Sequence, residues 1–574
     1  MPIPSRWLWL AASLVLGGCS SSSSNDAGTP PPPVDSGTPD AGPPDAGTDD
    51  AGVPDAGEVW DGGAEALVDP GDVVEREPYS DCTFMPETGT TPASCSDLAL
   101  FDRSMCPSGA LDDLEASGAY EVRMLSTNTP LQTNFTLRLP SDGGVGASDG
   151  KPLLFQDVGH GEFFFGTQVQ QRFPTPSFRN RIFAGCTRPE PDRVNGCYAW
   201  CNPEGRVTSK GSFTAMRHGW GRGEVEASGL KLVSESAVPL AFPVDIYVTK
   251  GHAYVVAIGD NTGDGGLAVY DVKDPAHPVL KKRIQLEGDT YWNGAWAKDD
   301  ALYIASGNSG VIVYDITNPA DPQYVRALPG GALNVHTVHV RGDRLYGMAP
   351  SSSSQTLMFD VSSALTPQLL ERISIPDESF GGVHDAFAYG DNLYVNHTTE
   401  GYIAFDVSDP MRVRELGRYA YGDSFSHANA VGTFAGRTIA FEGGEGLNAH
   451  LRVLDVTDPA NMRLIGQYAL RPEYSIHNMV LVGTKLYIAY YQEGVRVLDV
   501  SVPPRPREVA YFNTYQDTPP AWTGSEFFSS AIGIRVPGDG FIYVVDANRG
   551  LLILQESSPS TVYTHAIHGI LHGP

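Results

Sequence analysis

Val311-Ile312-Val313-Tyr314-Asp315-Ile316-Thr317-Asn318-Pro319 is one of six related segments that decide the fold of this chain. In each segment, β-branched or aromatic residues surround one aspartate, and these aspartates recur at intervals of 44 to 49 residues. The apolar residues alternate in twos, which is typical of strands, and a four-stranded propeller blade has a period of this size. The six aspartates are Asp271, Asp315, Asp360, Asp406, Asp455 and Asp499.

A second repeated feature allows the blades to be counted. An apolar segment with a central aromatic residue, such as Leu302-Tyr303-Ile304, occurs six times between residues 253 and 544, and Thr438-Ile439-Ala440 takes its place in the fifth of seven such segments. We assign it to the first, innermost strand of each blade. The sequence therefore predicts an all-β chain with a seven-bladed β-propeller over residues 229–555. Residues near Leu232 form a spare outer strand, and we expect them to pair with residues near Leu552 and close the ring.

The blades resemble the LVIVD-repeat family of bacterial and archaeal surface propellers. The resemblance covers about residues 243–554 and is carried by elements such as Asp406-Val407-Ser408-Asp409-Pro410. It implies a propeller fold and a cell-surface setting, and it implies no particular reaction. Ser363 and Val502 replace the second aspartate of the motif, and Gln555 replaces the first aspartate in the seventh blade.

The repeated aspartates are expected to have a structural role. Each follows an apolar strand and precedes a turn, so its carboxylate can accept backbone N–H bonds from that turn.

Residues 1–19 are predicted to be a lipoprotein signal peptide. The apolar run Trp7–Leu16 is too short to span a bilayer, and Leu16-Gly17-Gly18-Cys19 resembles a bacterial lipobox. By that resemblance Cys19 becomes the acylated N-terminus; the alternative is an ordinary secreted protein with a chance cysteine. We expect a protein that is lipid-anchored outside the cytoplasm, at the outer membrane or cell surface of a bacterium.

Residues 20–71 are predicted to be a disordered tether, because repeated Pro-Asp-Ala-Gly units can bury no core. The formal charge of the chain is −29, and fourteen acidic residues and one arginine lie between Asp26 and Glu77. That stretch alone accounts for −13. The remainder is moderately acidic, which argues against a nucleic-acid partner, since phosphates need a basic face.

Residues 79–219 are predicted to form a small β-rich module stapled by disulfides. The chain has seven cysteines, and six remain when Cys19 is set aside, all of them before the propeller. An exported chain tends to pair its thiols, so we expect three disulfides, whose pairing stays open; a zinc site is the alternative, although no Cys-x-x-Cys pair is present. These cysteines are Cys82, Cys95, Cys106, Cys186, Cys197 and Cys201.

Four consecutive blades place histidine at one position, about ten residues before the aromatic segment. A ring of imidazoles at one channel mouth suits a transition metal such as copper or zinc, and the alternative is that each imidazole bonds the backbone of a neighbouring blade. The histidines are His336, His384, His427 and His477.

A weaker pattern resembles a calcium loop that starts at Asp260, with Asp260, Thr262, Asp264 and Asp271 as its oxygen ligands. Residues 556–574 form a C-terminal tail.

The motifs of two common enzyme classes are absent from the sequence: it has no phosphate-binding glycine loop and no His-Glu-x-x-His pair. The prediction is therefore a lipid-anchored binding or interaction scaffold whose mouth loops contact a protein or glycan partner. The alternative is a metal-binding protein or metalloenzyme that uses copper or zinc at the histidine ring.

Overall fold

The computed structural model describes residues 59–72, 78–84, 97–127, 132–148, 150–171, 177–259, 263–350, 354–375, 382–422, 424–517 and 528–557. Cys19, Cys95 and most of the C-terminal tail lie outside these ranges. No helix within them is long and apolar enough to cross a bilayer.

Seven antiparallel sheets form the blades, numbered 1 to 7 in chain order. The inner strand of each blade contacts the inner strands on both sides, and blade 7 contacts blade 1, so the ring is closed. This confirms the predicted all-β, seven-bladed propeller. From inner to outer strand, the blades are Phe242–Thr249, His252–Ile258, Gly266–Asp271, Val279–Ile284; Trp292–Lys298, Ala301–Ser306, Gly310–Asp315, Gln323–Leu328; Thr337–Arg341, Arg344–Ala349, Gln355–Asp360, Gln368–Ser374; Asp385–Tyr389, Asn392–His397, Gly401–Asp406, Arg414–Tyr419; Ser426–Phe434, Arg437–Gly444, Leu451–Asp455, Arg463–Tyr468; Met479–Val482, Lys485–Ala489, Val495–Asp499, Arg507–Phe512; and Ala531–Arg535, Ile542–Asp546, Gly550–Glu556, Leu230–Ser236.

The outer strand of blade 7 comes from the start of the propeller. Leu230–Ser236 pairs antiparallel with Gly550–Glu556, and this places Leu232 opposite Leu554 and Glu235 opposite Leu552. The predicted closure is confirmed. Because the two ends of the propeller share one sheet, blade 7 has four strands like the other blades and the ring is held closed by strand pairing. Blade 6 gains a short fifth strand, Ala227–Ser228, beside its outer strand.

The aromatic segment used to count blades lies on the second strand, so its assignment to the first strand was wrong. Tyr254, for example, is in His252–Ile258 and pairs with Tyr247 of the inner strand. The second strands are buried on both faces and read as strongly apolar, whereas the inner strands carry polar residues toward the channel. The tyrosine also joins blades: Tyr254 donates to Pro319 O at 2.9 Å and Tyr303 donates to Ala364 O at 2.7 Å.

Glycine begins the third strand in four blades because the backbone there is left-handed and crowded. At Gly310, φ is +77°, and a Cβ atom would lie 2.1 Å from the carbonyl oxygen of Leu328 on the outer strand. Only glycine meets both conditions without strain.

The N-terminal module contains a nine-stranded antiparallel sheet. Rings of Phe163, Phe165, Phe183 and Phe213 pack against one another in its core, two pairs stacked and two edge to face. In chain order its strands are Gly118–Ser126, Gln132–Leu139, Ala147–Ser148, Lys151–Pro152, Phe155–Gly159, Glu162–Gln171, Ser177–Glu190, Arg193–Cys201 and Val207–Arg217.

A small subdomain is stapled to this sheet by disulfides. It contains the strand pair Thr83–Phe84 and Phe101–Asp102 and the 3₁₀ turn Leu98–Leu100. Disulfides Cys82–Cys197 and Cys106–Cys186 tie it to the long hairpin of the sheet, which confirms that the module is disulfide-bonded. Cys201 also forms a disulfide. Two further 3₁₀ turns, Pro410–Arg412 and Pro459–Asn461, lie in the propeller.

The end of the predicted tether packs on blade 5 instead of being disordered up to residue 71. Trp60 is buried there, and Asp69 accepts hydrogen bonds from Arg452 Nε at 2.8 Å and from Tyr419 OH at 2.7 Å. Asp72 accepts from Arg452 Nη2 at 2.8 Å. Arg452 is fully buried, so it requires partner carboxylates, and the acidic segment supplies them.

Candidate functional site: a histidine cluster at the channel mouth

The four predicted histidines lie where the inner strands of blades 3 to 6 begin. His336 and His384 each immediately precede an inner strand, His427 is the second residue of one, and His477 lies two residues before another. Because all inner strands run in the same direction along the channel, these positions share one mouth of the ring. The structure thus brings all four imidazoles together.

The imidazoles form a continuous arc from blade to blade. Ring centroids are 4.2 Å apart for His336 and His384, 4.0 Å for His384 and His427, and 4.4 Å for His427 and His477. At the blade 3 end, Nε2 of His336 lies 2.8 Å from Nε2 of His384. Asn293 Nδ2 donates to the same nitrogen of His336 at 3.1 Å, and the other ring nitrogen lies 3.2 Å from Tyr291 OH.

At the blade 6 end, the arc meets a carboxylate that the sequence analysis missed. Glu445 directly follows the second strand of blade 5, which ends at the same mouth because it runs antiparallel to the inner strand. Its oxygens lie 3.7 Å from His427 Nε2 and 3.5 Å from His477 Nε2. Tyr491 OH donates to Glu445 at 2.5 Å. The corresponding positions in other blades carry no acid, so no repeat pattern marked this residue.

The imidazoles are neutral at physiological pH. Burial lowers the pKa of His336 to about 4 and that of His477 to about 3. Burial, together with the neighbouring imidazoles, lowers the pKa values of His384 and His427 well below 6.5. Burial has the opposite effect on the acid and raises the pKa of Glu445 to about 7. Neutral imidazole is the form that binds metal ions and accepts hydrogen bonds.

The channel wall next to the cluster carries both charge signs. Asp385 follows His384, and burial, assisted by the negative charge of Asp245, raises its pKa to about 7. Asp245 accepts a hydrogen bond from the backbone N–H of Ala295 in blade 2. The guanidinium of Arg535 lies 4.4 Å from the ring centroid of Trp296. Burial raises the pKa values of Asp245 and Asp385, and the positive charge of Arg535 offsets part of that rise.

The N-terminal module docks on the rim of this same mouth. Glu473, four residues before His477, accepts hydrogen bonds from Arg123 Nη2 at 2.6 Å and from Arg193 Nη1 at 2.9 Å. His218 Nδ1 lies 2.9 Å from the hydroxyl of the next residue, Tyr474. The loop that presents His477 is therefore fixed to the module by buried polar contacts.

A family model described as LVIVD repeat matches residues 244–285, 293–327, 447–469, 477–514 and 530–563. The chain carries LVIVD repeats within a seven-bladed β-propeller. The matched segments fall in blades 1, 2, 5, 6 and 7, and the hydrogen-bond ladders show that the LVIVD-repeat propeller also contains blades 3 and 4.

Solved structures of similar architecture include U3-55K, with 9% identity over 57% of this chain and 98% of that one at a TM-score of 0.42. The WD40 β-propeller domain of Doa1 has 11% identity over 58% and 98% at 0.42, and the computationally designed Ika8 protein has 10% over 57% and 99% at 0.38. At these TM-scores the likenesses carry no functional argument. A search of curated proteins finds no match.

The repeated aspartates of the LVIVD-repeat propeller lie on the face opposite the histidine cluster, where the third strands end. In every case the carboxylate accepts the backbone N–H of the residue two positions later, at 2.7 to 3.2 Å, as in the bond from Thr317 to Asp315. The second aspartate of the motif does the same at Asp274, Asp409 and Asp458. Each of these carboxylates therefore accepts a hydrogen bond within its own turn and stabilises that turn.

The calcium loop expected in blade 1 does not bring its ligands together. Asp264 precedes the third strand Gly266–Asp271, and Asp271 ends it. A strand rises about 3.3 Å per residue. Asp264 and Asp271 therefore lie at opposite ends of this strand, on opposite faces of the ring, and their carboxylates cannot share one ion. Asp260 and Thr262 lie outside the described residues.

Proposed function

We propose that this chain is a binding scaffold whose contact surface is the mouth face of the propeller together with the docked N-terminal module. The observation that carries the proposal is the buried contact of Glu473 with Arg123 and Arg193, which joins the two parts into one rigid surface beside the channel. A scaffold that presents a preformed surface loses little conformational entropy on binding.

The two faces of the ring differ in a way that favours the mouth. The opposite face consists of short turns whose aspartates bond their own backbone, whereas the mouth carries the loops between blades, the histidine cluster and the module. Loops held by a rigid framework are where binding residues concentrate in proteins. We therefore assign partner recognition to the mouth.

Site-specific photo-crosslinking in cells tests this assignment. A crosslinking residue at Glu287, exposed in the loop from blade 1 to blade 2, is expected to capture a discrete adduct, which mass spectrometry identifies as protein or glycan. The matched control is Met411, exposed on the opposite face, which is expected to capture none. Equal labelling from both positions, or none from either, would contradict the proposal.

We also propose that acylated Cys19 and the acidic stretch after it hold this scaffold at a membrane outside the cytoplasm. Support comes from the lipobox-like Leu16–Cys19 segment and from the disulfides Cys82–Cys197 and Cys106–Cys186, which form in oxidising compartments. Globomycin, which blocks lipoprotein signal cleavage, is expected to cause accumulation of the uncleaved precursor. Normal processing in its presence would contradict the anchor.

A further inference from the structure

We propose that His384, His427 and Glu445 bind one first-row divalent transition-metal ion, with His477 as the fourth ligand and His336 as the residue that orients His384. One ligand atom from each of the first three residues can be chosen so that all lie within 4.8 Å of one another. This inference is independent of partner binding, and it adds a chemical function to the mouth.

The distances suit a metal ion without a large rearrangement. Ligand atoms 2.0 to 2.1 Å from a tetrahedral ion lie about 3.3 Å from one another. Glu445 oxygens lie 3.7 Å from His427 Nε2 and 3.5 Å from His477 Nε2, within a few tenths of an ångström of that spacing. The other separations within the triad are at most 4.8 Å, so side-chain rotations that bring the ligand atoms closer by up to about 1.5 Å complete the coordination.

His477 is already oriented as a ligand. Its Nδ1–H donates to the carbonyl oxygen of Ile532 at 2.6 Å, so its Nε2 carries the lone pair and faces the Glu445 carboxylate. Two lone-pair groups repel each other unless a cation or a proton lies between them. A backbone carbonyl that fixes the imidazole tautomer is the usual outer-shell partner of a metal-binding histidine.

The charge at the site also points to a cation. Glu445 is buried, and its partners in the described chain are the imidazoles of His427 and His477 and the hydroxyl of Tyr491. None of these groups carries a permanent positive charge, and a divalent ion would offset the cost of burying the carboxylate.

The ligand set selects the class of ion. Imidazole suits Zn²⁺ and Cu²⁺, whereas Mg²⁺ and Ca²⁺ require six or more oxygen ligands, which this cluster lacks. His336 supports the ligand set without binding the ion: its Nε2 lies 2.8 Å from Nε2 of His384, and its own ring is held by Asn293 and Tyr291.

Isothermal titration of the metal-free chain with ZnCl₂, and separately with CuCl₂, tests the proposal, with MgCl₂ as the hard-ion comparison. We expect one tight site for Zn²⁺ and for Cu²⁺, and none for Mg²⁺. Glu445→Gln is expected to weaken the site by at least about 100-fold, because even the loss of a residue that only orients a ligand costs about 10- to 100-fold. His336→Gln is expected to weaken it by about 10- to 100-fold.

Glu442→Gln is the matched control, because Glu442 is a buried carboxylate three residues away that bonds Ser426 and Tyr421 outside the cluster. It is expected to bind Zn²⁺ like the wild type. Histidines of the C-terminal tail are present in every variant, so any binding there is common to both. Equal affinity of the two glutamine variants, or no tight site in the wild type, would overturn the proposal. Circular dichroism confirms that each variant is folded.

Discussion

Glu473→Gln should weaken the docking of the N-terminal module on the propeller. The carboxylate is 1% exposed, and it pairs at 2.6 Å with Arg123, 5% exposed, and at 2.9 Å with Arg193, 19% exposed. Removing one partner of a buried ion pair leaves an uncompensated charge and costs about 3–5 kcal/mol. Arg193 is partly solvated and recovers some hydration, so we expect a loss of about 3 kcal/mol in the free energy of docking.

Urea unfolding followed by circular dichroism measures this loss. With a slope of about 3 kcal/mol per molar urea, the midpoint of the module's transition should fall by about 1 M. Glu415→Gln is the control, because its pair with Arg418 is exposed by about a third on each side, and such surface pairs contribute about 0–1 kcal/mol. A Glu473→Gln midpoint within about 0.2 M of the wild type would refute the reasoning.

Three further predictions concern the interface, the closing strand and the anchor. Burial lowers the pKa of His218 to about 3. The stability that neutral His218 contributes is therefore complete above about pH 6.5, and the free energy of unfolding falls by up to about 1.4 kcal/mol per pH unit below that. His218→Phe should flatten this pH dependence in urea unfolding measured at about pH 4 to 8. Leu230→Ala, in the core of blade 7, should lower the free energy of unfolding by about 2–4 kcal/mol. Leu232→Ala on the same strand, where the side chain is 37% exposed, should lower it by less than about 1 kcal/mol. Equal losses of the two variants in thermal unfolding would contradict closure by this strand. Cys19→Ser should move the protein from the detergent phase to the aqueous phase in Triton X-114 partitioning, and no movement would exclude acylation.

The blades could be predicted because each one has the same arrangement of strands and turns, with the same residue types at the same positions. An apolar third strand must be followed by a turn whose N–H groups need an acceptor, so aspartate recurs at a fixed interval, as at Asp315 and Asp406. The histidines share one position on the inner strands, so their meeting at one mouth also followed from the repeat. The closing strand near Leu232 was recognisable because an unpaired strand at one end matched a missing strand at the other.

Features that occur once escaped prediction. Glu445 has no counterpart in the other blades, and only the antiparallel course of the second strand brings it to the histidines. The long hairpin of Ser177–Glu190 and Arg193–Cys201 is rich in arginine, asparagine and glycine, which hides its strand pattern. The packing of Asp69 and Asp72 depends on Arg452, nearly 400 residues away, and no local pattern reports such a partner.

Anomalous diffraction from crystals grown with ZnCl₂ tests the central claim most directly, namely that the mouth of the closed ring gathers the chain's ligand-binding groups at one point. Data collected above and below the zinc absorption edge should show a peak about 2.0 to 2.1 Å from ligand atoms of His384, His427 and Glu445. The peak should be absent in Glu445→Gln crystals grown in the same way. Wild-type crystals with no peak at this position would contradict the account.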